Sequence, residues 1–124
     1  MHARPARRVL VVDDDESLVR ACVRLLRGHC SVECAHSLEA ALRVIRGSDR
    51  LDAVWSDGQI PDPGGGAQVL RAAAVKHPGA LLLMVTGQPD AANVDELPPD
   101  TRVFHKQDGQ AAIEYLLERL AAVG

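Results

Sequence analysis

Residues 9–15 read VLVVDDD: four apolar side chains in an unbroken run, then three carboxylates. A short apolar run closed by polar residues predicts a strand buried on both faces, as in the interior of a parallel sheet. The pattern recurs three times along the chain. Ala53–Trp55 is closed by Ser56 and Asp57, Ala80–Val85 by Thr86, and the brief Val103–Phe104 by Lys106. Ser31–Ala35 instead alternates polar and apolar, as a half-exposed edge strand does.

Helical spacing fills the gaps. Leu18, Cys22, Leu25 and Leu26 fall at i, i+4, i+7 and i+8 and predict one helix face, ended near Gly28. Ser37 is a predicted N-cap for a helix with Leu38, Ala41, Leu42 and Ile45 inward, stopping near Gly47. A Pro- and Gly-rich loop over Gly58–Gly66 precedes a helix through Val69, Leu70 and Ala73, up to His77-Pro78. Pro89–Leu97 reads as a short helix stopped by Pro98 and Pro99. Ile113, Leu116, Leu117 and Leu120 form the face of the last helix.

Five such βα units predict an α/β fold: a doubly wound, five-stranded parallel sheet with helices on both faces. The alternating second strand and the short fifth strand belong at the edges. The expected strand order is therefore 2-1-3-4-5, with the ligand crevice beyond the carboxyl ends of the strands.

Composition bounds the function. A chain of 124 residues fits one domain and needs no disulfide or metal staple to fold. A formal charge of −3 argues against nonspecific nucleic-acid binding, and single Trp, Tyr and Phe residues leave no stacking platform for single strands. The longest apolar run, Ala80–Val85, is too short to span a bilayer. No apolar signal core follows the basic start, residues 1–7. Three cysteines, an odd number, suit a reducing compartment, and the expectation is a soluble cytoplasmic domain over residues 8–124 behind a basic tail.

The predicted topology brings the strand-closing residues together: Asp13 and Asp14, Asp57, Thr86 and Lys106. Clustered carboxylates repel one another, and a hard divalent cation such as Mg²⁺ relieves that repulsion. A lysine and a hydroxyl beside them complete the parts that phosphoryl transfer needs, with one carboxylate as nucleophile. Asp15 and Glu16 are better read as acids at a helix N-terminus, offsetting its dipole.

With VLVVDDD, then SDGQIP (Asp57 with Pro61 four residues on), LLLMVTG and VFHK in this order, the chain resembles the receiver domains of two-component response regulators, the chemotaxis regulators among them. The spacing is 43 residues from Asp14 to Asp57, 29 on to Thr86 and 20 on to Lys106, and the likeness runs from about Arg8 to Leu120. It implies the flavodoxin-like receiver fold, with Asp57 as phosphoacceptor. Asp14, Asp57 and the backbone carbonyl of Gln59 would ligate Mg²⁺, with Asp13 acting through a water, and Thr86 and Lys106 would contact the phosphoryl oxygens. It also implies a signalling module that catalyses only its own phosphorylation and dephosphorylation. Its donor would be a histidine kinase or histidine phosphotransfer protein and its output a downstream protein. Neither nucleic acid nor membrane is an expected partner, and the expected state is monomer or weak dimer.

The chain departs from that pattern in places. Val103 stands where an aromatic is usual, Gln107 where a proline follows the lysine, and Gly58 where an apolar residue follows the phosphoacceptor. The stretch from Thr86 to Lys106 is short. Val103 and Gln107, though not the intact acidic set, favour a second reading, a phosphorylation-independent interaction module. A third, an aspartate-nucleophile phosphatase, wants a second acid at position 59, where Gln59 stands. His29, Cys30, Cys34 and His36 lack the C-x₂-C knuckle of zinc sites and read as two core cysteines beside two surface histidines. The PDPGGG loop lacks the Gly-Lys-Ser/Thr of a P-loop.

Overall fold

The computed structural model describes residues 6–60, 64–89 and 94–122. Five strands, β1 (Arg8–Val12), β2 (Ser31–Ala35), β3 (Ala53–Ser56), β4 (Leu81–Thr86) and β5 (Arg102–His105), pair in parallel in the order β2-β1-β3-β4-β5. The described helices are α1 (Glu16–Leu26), α2 (Leu38–Gly47), α3 (Gly65–Lys76) and α4 (Gly109–Ala122). This is the doubly wound sheet expected from the strand patterns.

The apolar runs are continuous because the three inner strands are covered on both sides. Val9, Val11, Trp55, Leu83 and Val85 pack beneath α1 and α4. Leu10, Val12, Val54, Leu82 and Met84 pack beneath α2 and α3. Each fully buried Val or Leu contributes roughly 1.5–3 kcal/mol over leaving it in water. Asp15 caps α1 by accepting from the amides of Ser17 and Leu18, and the Ser37 hydroxyl caps α2 by accepting from Ala40.

Three expectations are corrected, and a fourth lies partly outside the described residues. Leu25 is 46% exposed, and the buried stripe of α1 is Val19, Cys22 and Leu26, because these are the side chains that face the core of Val9, Val11 and Leu116. Helix α3 begins at Gly65, inside the expected loop, for a steric reason given below. Cys34 is exposed, since β2 is an edge strand with no helix closed over that position. In the expected helix over Pro89–Leu97, Val94–Glu96 form a 3-10 turn, tied to α3 by Arg71 donating to the Glu96 carbonyl. Residues 90–93 and Pro61 lie outside the described residues.

Candidate functional site

Each site residue sits where a strand runs out of sheet. Backbone pairing carries one step past β1 and β3: the Asp13 amide donates to the Ala35 carbonyl at 3.1 Å, and the Asp57 amide to Val12 at 2.8 Å. Both side chains are thereby fixed at the carboxyl edge. Asp13 is 0% and Asp57 5% exposed, while Asp14 is open to solvent. One oxygen from each of Asp13, Asp14 and Asp57 lies within 4.8 Å of the other two.

Lys106 closes the group. It leaves the end of β5, and its Nζ stands 3.2 Å from both Asp13 Oδ2 and Asp57 Oδ2. Gln107 follows it. The amide that a proline would lack donates to His105 Nδ1 at 3.0 Å, which starts a 3-10 turn leading into α4.

The electrostatics follow from two buried carboxylates, Asp13 and Asp57, facing one ammonium. Burial raises the Asp13 carboxyl above its usual value and Asp57 adds to this. The Asp15 amide, which donates to Asp13 Oδ1 at 2.9 Å, and Lys106 oppose it. For Lys106 burial acts downward, but the two carboxylates outweigh it and hold the ammonium charged beyond its ordinary range. Asp13 Oδ2 is buried and accepts no aligned hydrogen bond. A buried carboxylate oxygen whose one cationic neighbour is Lys106, beside two further carboxylates, suits a hard divalent cation bound through oxygen.

Thr86 ends β4 and is 4% exposed. Pairing of Ser56 with Met84 sets residue 58 opposite Thr86. A Cβ on Gly58 would stand 3.1 Å from Thr86 Oγ1 and 3.4 Å from Met84 Sδ. Gly58 therefore lets the hydroxyl stand against the backbone beside Asp57.

Gly65 and Gly66 hold α3 against this edge. A Cβ on Gly66 would overlap the Asp57 carbonyl oxygen, and one on Gly65 would overlap that of Ile60. With no side chain, the Gly66 amide reaches the Gly58 carbonyl at 3.2 Å. The glycines mark close backbone approach here, so the helix starts at them.

Gln88 escaped the sequence reading. The Gln88 side-chain amide meets that of Gln59 at 3.3 Å, bridging the loops after β3 and β4, while the Gln59 amide donates to Asp57 Oδ1 at 3.4 Å and the Gln88 amide to Thr86 Oγ1 at 3.2 Å. The signal was available: each glutamine lies two residues past a site residue on neighbouring strands. His36 Nδ1 lies 3.1 Å from the Asp13 carbonyl oxygen, packing β2's end against β1's. His29, Cys30, Cys34 and His36 form no metal-binding group; among the described residues that arrangement is met only by the three aspartates.

No family model matches the chain, and no curated protein does. Solved structures match over nearly its full length. A CheY-like response regulator receiver domain protein from Methanospirillum hungatei is 24% identical, with 96% of this chain and 99% of that chain covered and a TM-score of 0.73. A structure described as an adenylate cyclase from Rhodopirellula baltica is 27% identical over 95% and 92%, with a TM-score of 0.71. A response regulator from Burkholderia pseudomallei, with a phosphorylated aspartic acid, a calcium ion and citrate, is 23% identical over 94% and 71%, with a TM-score of 0.68. Most of the matched structures are response regulator receiver domains, and with its 2-1-3-4-5 sheet and acidic carboxyl edge this chain has the fold of the CheY-like receivers.

Proposed function

We propose that the chain is a phosphoacceptor receiver domain. The observation that carries this reading is Lys106 Nζ at 3.2 Å from both Asp13 and Asp57, with Asp14 gathered beside them from the same strand end. In the proposed reaction an Asp57 oxygen attacks the phosphorus of a phosphohistidine on a kinase or phosphotransfer protein. The P–N bond breaks, its electron pair returns to the imidazole, and an aspartyl phosphate remains. Lys106 and the Thr86 hydroxyl then face the phosphoryl oxygens, stabilising charge as it develops. Asp13, Asp14, Asp57 and the Gln59 carbonyl would hold Mg²⁺. The cation supplies charge neutralisation between carboxylates and phosphoryl group. A phosphorylated aspartate and a calcium ion in the Burkholderia pseudomallei regulator support this assignment.

Acetyl phosphate with Mg²⁺ is the direct test. Intact mass should rise by one base-labile phosphoryl group, absent with EDTA and absent in Asp57→Asn. Equal labelling of Asp57→Asn would move the acceptor elsewhere. No labelling of the parent chain would favour the interaction-module reading, to which Val103 lends weight: half-buried on the α2–α3 side of the sheet and smaller than an aromatic, it offers little volume to move.

A second readout is internal. Trp55, 1% exposed, lies two residues below Asp57 on the same sheet face, and its Nε1 has no hydrogen-bond partner among the described residues. Mg²⁺ at millimolar concentration should change Trp55 fluorescence, and Asp14→Ala should abolish the change. A flat response in the parent chain would remove Mg²⁺ from the proposal.

A further inference from the structure

The strongest unassigned feature lies on the far edge of the sheet, outside the carboxylate group. Helix α1 and the outer strand β2 enclose a groove of about 440 Å³. Arg20, Arg24 and Arg27 line its helical wall, Cys34 and His36 its strand wall, with Val23 in the floor and Glu16 as its one acid. The arginines follow at i, i+4 and i+7. Arg20 reaches only the Ser17 hydroxyl, at 3.4 Å, and among the described residues Arg24 and Arg27 have no ion-pair or hydrogen-bond partner for their guanidinium groups.

This charge is not accounted for by the fold. Cations in the last turn of a helix offset its dipole, which covers Arg24 and Arg27 but not Arg20, a full turn further in. The chain as a whole carries −3, so three unpaired guanidiniums in one groove are a local reversal of sign. Guanidinium groups in such a place select carboxylates or phosphates, which they bind in a planar fork.

The spacing decides between anions. Arg20 and Arg24 are four residues apart on a helix, a rise of about 6 Å. Side chains two apart on an extended strand repeat at about 6.6 Å along the same face. β2 is an outer strand with one backbone edge free, and its Cys34 and the following His36 line the opposite wall of the groove. A small phosphate compound would use the arginines and leave that edge unpaired; an extended chain with acids at alternate positions would use both.

We propose that the α1–β2 groove docks an extended acidic peptide segment of a partner protein, added as a sixth strand beside β2, with alternate Asp or Glu side chains on Arg20, Arg24 and Arg27. This mode takes affinity from main-chain pairing and specificity from alternate side chains. It is independent of phosphoryl transfer at Asp57.

A fluorescein-labelled peptide of alternating Glu and Val tests it by anisotropy against the full chain. Saturable binding in the micromolar range is expected, weakening as salt rises. Arg24→Glu combined with Arg27→Glu should weaken it at least tenfold while acetyl phosphate labelling persists, which also shows that the variant is folded. Methylating alternate backbone nitrogens of the peptide should weaken it comparably. Three results would overturn the proposal: a Lys-for-Glu peptide binding as well, the double variant binding unchanged, or the methylated peptide binding unchanged. Displacement by tripolyphosphate with no sensitivity to methylation would identify a small-anion site instead.

Discussion

Asp13→Asn should melt at a higher temperature than the parent chain when no divalent cation is present, and should at the same time lose its response to Mg²⁺. The Asp13 carboxyl is raised in the folded state chiefly by burial, from an ordinary value of 3.8. Below 3.8 the group is protonated whether folded or not and costs nothing. As pH climbs, the unfolded chain releases its proton first, so stability falls until the folded group also ionises. The penalty is then full and constant up to neutral pH. This is the reverse of an ordinary salt-bridged carboxylate. Asparagine keeps the Oδ1 acceptor for the Asp15 amide and removes the charge. Relief of about 1 kcal/mol would raise the melting temperature by roughly 4 °C in a domain of this size. For the parent chain, Mg²⁺ at ten times its Kd adds about 1.4 kcal/mol. Differential scanning calorimetry across pH 3–8, with and without Mg²⁺, measures both arms. A lower melting temperature for the variant at neutral pH without cation would mean that Lys106 outweighs the repulsion.

The largest loss of stability should come from Gly66→Ala. Elsewhere in a helix the exchange is stabilising by up to ~1 kcal/mol. At this position the new methyl group would overlap the Asp57 carbonyl oxygen and stand 2.7 Å from the Gly58 Cα. These obstacles are backbone, so α3 must back away from the sheet and give up its amide contact with Gly58. Overpacking costs of this kind reach about 3 kcal/mol, or a fall near 10 °C. Urea denaturation gives the number. Gly47→Ala, where a Cβ meets nothing within 4 Å, is the control and should be neutral or stabilising. Equal stability of the two variants would remove the steric role assigned to Gly66.

Sequence and structure agree most closely where burial leaves few options. Val9–Val12 could be a both-faced strand because nothing polar interrupts it, and the residues closing four such runs had to meet once the sheet was parallel. The carboxylate group was legible for that reason. Leu25 was misread because apolar periodicity marks a stripe without fixing its centre; Val19 and Leu25 lie on opposite rims of the α1 stripe, and only the sheet beneath decides which is covered. Gly65 and Gly66 were misread because glycine breaks a helix by local propensity, whereas here close approach to the Asp57 and Ile60 carbonyls demands it. Cys34 was misread as core since an edge strand buries a thiol only if a helix overlaps it. The link between β4 and β5 was obscured by Pro98 and Pro99, which say where a helix must stop but not whether one has begun.

The parallel sheet also has a kinetic meaning. Asp57 and Lys106 are 49 residues apart in the chain, and both meet Asp13 only when β1, β3 and β5 are all in place. Such distant pairings pay their loop entropy before they are rewarded, so the carboxyl edge is among the last parts to assemble. The repulsion within it is then largely absent from the folding transition state. A cation that neutralises the trio acts on the return journey, slowing escape from the native state while leaving the rate of arrival nearly unchanged. For this protein the acidic edge is a latch, set after the door has closed.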